Sequence, residues 1–516
     1  MKKDKKNNNS SSSSKPTTTT TTTTTSPSSS TLRKRHVTGI NILEQLPLSY
    51  FICLLVRLII GISSIGYIHP DEYFQSPEIT ASDIFNFDTF RAWEYDPTNP
   101  CRSIIVPMIN SAIPYFTFKK GTIIIRDFNG YTLFVMPRLF AVFSSVLLDY
   151  YVCLLCRHYR LSFQKALSVL SSCWLIIIFH SRTFSNTIES LTVATLLTIV
   201  LLQDGKGYKY IENLALHGIH NRLTHLFASL PLMIGPLIIV LTIEIISIIR
   251  NYNSNSNSKS NQPTTNNNNN NNNNNSNNNS ESGNGSSEQT VNMNGDYLLP
   301  WSVRLTIVGV IMSGLFFLSL APHQEARFLL PIFFPCVLVC FRYFYMPTKR
   351  SKYLVIVWIL FNMLATIFYG FIHQAGVVPS LIHLQGRISN NNVNNSISSS
   401  SSSPHFVDID PNQKLNIIYF HTYMAPRHLL GIGADQKDRI KVYDVSGDFS
   451  KLSTLMDSFN DNSHTIVLTP NKKILYEQFR HKTCQLVDSF WPHITTEDLP
   501  DSLYNLRLFL LSCHEI

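Results

Sequence analysis

Charge is scarce in this chain. Only 15 % of its 516 residues are Asp, Glu, Lys or Arg, against roughly 25 % in an average soluble domain. Cysteine is sparse too, at nine residues. Six of them (Cys53, Cys153, Cys156, Cys173, Cys336 and Cys340) lie in or beside apolar runs, where Cys packs as a small hydrophobe. Cys153-x-x-Cys156 has redox or metal spacing but no second pair, so packing is its expected role. Cys101, Cys484 and Cys513 fall in polar regions and leave a disulfide among them open. The chain lacks a P-loop, a dinucleotide glycine fingerprint, a Ser-centred elbow and any Cys/His zinc spacing. No basic stretch interleaves aromatics on a soluble module, which argues against nucleic acid as the expected partner. The first thirty residues are polar and homopolymeric rather than a cleavable signal peptide, so the first apolar run is expected to act as the membrane signal.

What is present falls into two kinds of sequence. Tracts of nearly pure Asn, Ser and Thr around 7–30, 251–290 and 388–403 cannot bury a core and are expected to be disordered. The remaining stretch of about 430 residues is then roughly half hydrophobic or more, above the usual soluble share. The expected fold class is an α-helical polytopic membrane protein with a small lumenal α/β C-terminal region. A spanning helix needs about 20 mostly apolar residues, and the clearest runs are Leu48–Ile68, Tyr131–Cys156, Ala166–Ile178, Leu191–Leu202, Leu226–Ile249, Leu298–Leu320, Phe328–Met346 and Tyr353–Ile372. The net charge is +9. Its basic clusters, Arg33-Lys34-Arg35, Arg157 to Lys165 and Lys349 to Lys352, sit beside these runs as positive-inside loops do. That orientation puts residues 1–44 in the cytosol and 69–130 in the lumen. An even number of crossings between 157–165 and a cytosolic residue 297 requires one more element, for which the polar stretch 208–222 is the candidate. The organisation expected is a disordered N-terminus (1–44), a membrane domain (45–374) interrupted by an insert (251–297), a lumenal linker (375–403) and a lumenal domain (404–516). In the last, Leu415–Phe420 and Thr465–Leu468 read as strands, and Phe449–Phe459 and Pro500–Leu511 have helical spacing.

Polar residues gather at the lumenal ends of these runs. His69-Pro70-Asp71-Glu72-Tyr73-Phe74-Gln75-Ser76-Pro77-Glu78 directly follows a span. Two adjacent acids after a proline also suit a plain helix start. Arg102, the cluster Ser181-Arg182-Thr183-Phe184-Ser185-Asn186 and the cluster His323-Gln324-Glu325-Ala326-Arg327-Phe328 lie on the same side. Ionisable residues at membrane depth are costly and mark functional sites. Acids with arginines suit transfer of a group from a lipid phosphate: the leaving group is an anion that arginine stabilises, and a carboxylate takes the proton of the attacking hydroxyl. Arg138 and Asp149, inside one span, read as helix-packing contacts.

His69-Pro70-Asp71-Glu72-Tyr73-Phe74-Gln75 resembles the signature of glycosyltransferase family 22, the mannosyltransferases that use dolichyl-phosphate mannose. His323-Gln324-Glu325-x-Arg327-Phe328-Leu329-Leu330-Pro331 resembles the family's second motif, with Ala326 where Pro is expected, and Arg182-Thr183-Phe184-Ser185-Asn186-Thr187-Ile188-Glu189 resembles a third. The likeness covers about residues 45–375 outside the insert. It implies a GT-C type glycosyltransferase fold in the endoplasmic reticulum membrane, with a lumenal active site and an inverting, single-displacement reaction. It further implies Asp71 as the base with Glu72 as alternative, and Arg102, Arg182, His323 and Arg327 as candidates to hold the donor phosphate. His69, Gln75 and Glu325 are implied as substrate-binding, and no cofactor is implied. Asp71 and Glu72 are the acids that would hold a metal if one were used. Gln75-Ser76-Pro77-Glu78 and His421-Thr422-Tyr423-Met424-Ala425-Pro426-Arg427 resemble most the members that add an α1,2-linked fourth mannose to the GPI-anchor precursor, which implies a mannosylated GPI glycolipid as acceptor. Members acting on the third GPI mannose or on the asparagine-linked glycan share the first motif. A transporter or scramblase would place its ionisable residues at midplane on broken, repeated halves, and no internal repeat is visible.

Overall fold

A computed structural model describes residues 45–122, 129–203, 228–260, 299–320, 324–393, 413–459, 463–478, 482–496 and 498–515. The expected extra element at 208–222, the N-terminal tract and His323 lie outside these residues. Five helices among the described residues are long and apolar enough to cross a membrane: Gly130–His158, Ser185–Leu202, Trp301–Leu320, Ala326–Tyr345 and Lys349–Ile372. The last exposes Ile356, Val357, Ile359, Leu360, Met363 and Leu364, a contiguous apolar face that suits lipid rather than water.

Three expected runs differ from continuous spans, each for a local reason. Leu48–Ile68 is helical only over Leu48–Ser63, 16 residues. Beyond it the backbone turns extended, because Gly66 N donates to Gly370 O (2.7 Å) and Tyr67 N to His373 O (2.9 Å). A Cβ on Gly66 would stand 2.2 Å from Tyr369 O, so only glycine permits this approach. The run Ala166–Ile178 is two helices, Phe163–Ser171 and Trp174–Ser181, bent by 64°. Asn362 Oδ1 accepts from Trp174 N (2.8 Å) at the break, satisfying a donor that a helix start leaves unpaired. Leu226–Ile249 divides into Leu230–Ile234 and Leu237–Ser260 at Gly235, whose φ is 50°, and Pro236. The second piece runs ten residues into the tract expected to be disordered, as extending an existing helix costs far less than starting one. Likewise the stretch read as a linker contains the helix Val377–Val393, with Val377, Val378, Leu381, Leu384 and Ile388 buried.

The C-terminal region is a five-stranded sheet of β1 (Lys414–Tyr419), β2 (Ile440–Asp444), β3 (Ser463–Thr469), β4 (Lys482–Phe490) and β5 (Leu508–Glu515), in the order β2-β1-β3-β5-β4. β1 pairs parallel with β2 and β3, and β5 runs antiparallel to β3 and β4. Leu415, Ile417, Ile466, Leu468, Leu508 and Leu510 pack toward Val377–Val393 and the loop that follows Leu48–Ser63. Their neighbours Ile418, Val467, Phe509 and Leu511 pack with Leu452, Met456 and Leu475 on the other face, the alternation a strand imposes. The strands expected at Leu415–Phe420 and Thr465–Leu468 and the helix at Phe449–Phe459 are present. The helical reading of Pro500–Leu511 is corrected: Leu508–Glu515 is a strand, and its first half, Leu508–Leu511, is buried on both faces and apolar without alternation. Cys484 and Cys513 form a disulfide across β4 and β5, and Cys101 is free and exposed.

Candidate active site

The loop after Leu48–Ser63 carries two short helices, Asp71–Phe74 and Pro77–Phe85, with Pro70 and Pro77 at their starts, where a missing N–H costs nothing. Successive helical residues point about 100° apart, so Asp71 and Glu72 diverge into different surroundings. Asp71 is partly exposed. Arg327 Nη2 lies 2.6 Å from its Oδ2, and Gln75 Nε2 donates to the same oxygen. Asp71 N donates to His69 Nδ1 (3.2 Å), so the ring proton belongs on Nε2, which stands 3.8 Å from Glu325 Oε2. Glu325 also pairs with Arg327 Nε. The outer cluster is therefore one guanidinium held between two carboxylates, with Arg327 Nη1 buried and without a hydrogen-bond partner.

Glu72 is fully buried in the opposite arrangement, one carboxylate between two guanidiniums. Arg138 Nη2 lies 2.5 Å from Oε1 and Arg182 Nη1 2.7 Å from Oε2. Arg138 also donates to Ser64 O (2.5 Å) and Tyr73 Oη (3.1 Å), and Arg182 to Gly66 O (2.7 Å). Thr183 Oγ1 donates to Glu72 O. Buried charges persist only when paired and hydrogen-bonded, and this cluster meets that condition with three separate segments.

The three sequence motifs thus meet. The first and second join at Asp71–Arg327. The first and third join at Glu72–Arg182 and where Ser185 Oγ donates to Gln75 Oε1 (2.9 Å). Arg102 pairs with Glu94 (3.1 Å) rather than with a motif acid, at a partly exposed position. It borders Tyr95, whose hydroxyl donates to Gln75 O (3.2 Å); burial raises the pKa of that phenol against the pull of Arg102. His323 lies outside the described residues.

Two contributors escaped the reading of the sequence. Arg138 was expected only to pack helices, and it touches a motif acid; the signal was an arginine in the first half of a 29-residue apolar helix whose own acid, Asp149, is about three turns away, so its carboxylate must come from elsewhere. Asp149 pairs instead with Arg57 (3.0 Å) and accepts from Tyr50 Oη (3.0 Å). The second contributor is the C-terminal region itself. Buried Glu78 accepts from His428 N (2.9 Å) and faces His428 Nδ1 at 2.8 Å, while Tyr67 Oη donates to Met424 O (3.0 Å). Gly130, whose Cβ would stand 2.2 Å from Leu429 O, lets a membrane helix begin against the same segment. No group of three or more His, Cys, Asp or Glu side chains forms a metal-ligand set among the described residues. Asp71, Glu72 and Glu325 each face guanidinium instead.

The model of the Alg9-like mannosyltransferase family matches residues 48–210 and 208–404. Among similar proteins are GPI alpha-1,2-mannosyltransferase 4 of Homo sapiens, 27 % identical over 530 residues that cover 84 % of this chain and 86 % of the relative. GPI mannosyltransferase 4 of Drosophila melanogaster is 25 % identical, covering 74 % and 72 %. GPI mannosyltransferase 4 of Schizosaccharomyces pombe is 26 % identical, covering 71 % and 72 %. No solved structure matches the chain significantly.

Proposed function

Since the chain belongs to the Alg9-like mannosyltransferase family, we propose that this glycosyltransferase adds the fourth, α1,2-linked mannose to the GPI-anchor precursor, with dolichyl-phosphate mannose as donor. The observation that carries the reading is the meeting of three distant motifs around Asp71, which remains partly open to a substrate while Glu72 is sealed. Relatives named for GPI mannosyl transfer cover most of the chain and support the acceptor assignment.

Asp71 is the base. It takes the proton of the acceptor hydroxyl as that oxygen attacks the anomeric carbon, and the phosphate departs as an anion without a general acid. A single displacement inverts the β-linked donor to an α-linked product. Arg327 holds the donor phosphate: its Nη2 fixes Asp71 while Nη1 is uncommitted, and a planar fork can serve both at once. His69, Gln75 and Glu325 position this pair. Arg182 keeps the loop in place through Glu72 rather than touching phosphate, and Arg102 and His323 are further proposed phosphate contacts. The GT-C architecture, the endoplasmic reticulum and a lumenal active site belong to the same proposal. The Cys484–Cys513 disulfide supports an oxidising compartment for the C-terminal sheet.

The test is complementation. The chain is expressed in cells that lack the fourth GPI mannosyltransferase, and their membranes are supplied with labelled dolichyl-phosphate mannose. Conversion of the three-mannose glycolipid to a four-mannose one is expected. Persistence of the three-mannose form, with the protein present in the membrane, refutes the acceptor assignment.

A further inference from the structure

His421–Arg427 takes no part in the chemistry above, yet it lines the site. The Tyr423 ring packs 5.5 Å from Tyr67, 6.4 Å from His69 and 5.6 Å from His373, centroid to centroid. Buried Gln374 ties this segment to the connection between β4 and β5: its Oε1 accepts from Tyr423 N (3.4 Å) and its Nε2 donates to Thr495 Oγ1 (2.9 Å). Two residues before Tyr423, His421 holds a φ of 58°. A non-glycine residue enters that region at a cost, and such positions cluster at ligand sites. The turn brings His421 Nδ1 within 3.7 Å of Asp498 Oδ2. Both atoms are buried and neither has a hydrogen-bond partner, although both side chains retain some exposure.

Because neither atom is open as the pair stands, a hydroxyl enters by parting the two side chains, which are 17 % and 22 % exposed, and then lies about 2.8 Å from each. A sugar hydroxyl is both donor and acceptor, and the flat apolar face of a hexose packs on an aromatic ring that carries a polar tip. In a single displacement the attacking hydroxyl and the leaving phosphate lie at opposite ends of the reacting line. Arg327 is assigned to the donor phosphate above, and the C-terminal segment reaches the site at His69 through the Tyr423 ring, while Glu325 faces His69 Nε2. We propose that Tyr423, His421 and Asp498 form the subsite that holds the terminal sugar of the acceptor and present its hydroxyl to Asp71. This deepens the mannosyl-transfer reading and rests on it.

The test uses the full chain in lipid nanodiscs and two readouts. Methyl α-mannoside and α1,2-mannobiose serve as probes in ligand-observed NMR, with methyl α-galactoside as control. Asp498→Asn and His421→Asn, the latter tolerant of positive φ, are expected to weaken mannobiose binding about tenfold or more. In transfer assays they raise KM for the acceptor similarly, leaving KM for the donor and its slow hydrolysis unchanged. Asp71→Asn keeps probe binding. Unchanged mannobiose binding in Asp498→Asn, absence of binding by the wild type, or a shift in donor KM alone overturns the subsite. A wild type that binds mannobiose but leaves the three-mannose glycolipid untouched refutes the acceptor assignment and not the subsite.

Discussion

Replacing Glu72 by Gln removes a negative charge from a position that solvent does not reach, between two guanidiniums that are themselves buried. Breaking a buried ion pair from one side costs about 3–5 kcal/mol, and with two arginines left the upper end applies. Set against a typical total of about 5–15 kcal/mol, this change lowers protein yield and heat resistance first. Asp71→Asn is different in kind. Asp71 is 24 % exposed, and an Asn oxygen still accepts from Arg327 and Gln75, so the stability loss is about 1–2 kcal/mol. Its rate loss is that of a missing base, 10²–10⁴-fold, or about 3–5 kcal/mol of barrier. From residue types alone Glu72→Gln reads as the milder of the two, and its burial reverses that order for stability. The assay is thermal unfolding alongside mannose transfer by matched amounts of each variant in nanodiscs. A Glu72→Gln protein of wild-type stability that transfers nothing, beside an active Asp71→Asn, refutes the reasoning and hands the base role to Glu72. Near-normal transfer by both refutes the mechanism.

Arg327→Lys keeps the charge but cannot meet Asp71, Glu325 and a phosphate together; turnover is expected to fall at least about tenfold at unchanged yield, and an unaltered kcat and donor KM would make the residue structural. Arg57→Leu alone is expected to cost about 3–5 kcal/mol by orphaning Asp149, and Arg57→Leu with Asp149→Leu to recover most of it; equal melting of single and double variants would contradict this. Burial holds the pKa of His493 down at about 3, far below the ordinary 6.5. Between these values only the unfolded chain takes up the proton, so stability is full above pH 6.5 and falls on acidification, by about 2 kcal/mol at pH 5. Thermal unfolding at pH 7 and pH 5 should show that loss, reduced in His493→Gln; a wild type equally stable at both values would disprove it.

The long apolar runs were legible because lipid demands about 20 consecutive apolar residues whatever surrounds them. The strands β1 and β3 and the helix Phe449–Asp457 were legible because each shows its own local signature. So were the family and its motifs, since residue identity is all a motif contains. The strand Leu508–Glu515 was not: burial on both faces over Leu508–Leu511 erases the alternation that marks a strand. The break near Ser172 was hidden because Asn362 and Trp358 of another helix stabilise it, whereas the break at Gly235-Pro236 carries a turn signal of its own inside a long apolar run. Nor could the chain order say that Glu72 would be sealed by Arg138, 66 residues away, and Arg182, 110 away. It could not say that Glu78 would anchor His428 across 350 residues. Composition requires that a buried acid find a cation. Which cation it finds, and which of two adjacent acids stays open to a substrate, is set by a helical turn of about 100° per residue and by the packing of segments that meet only in the folded protein.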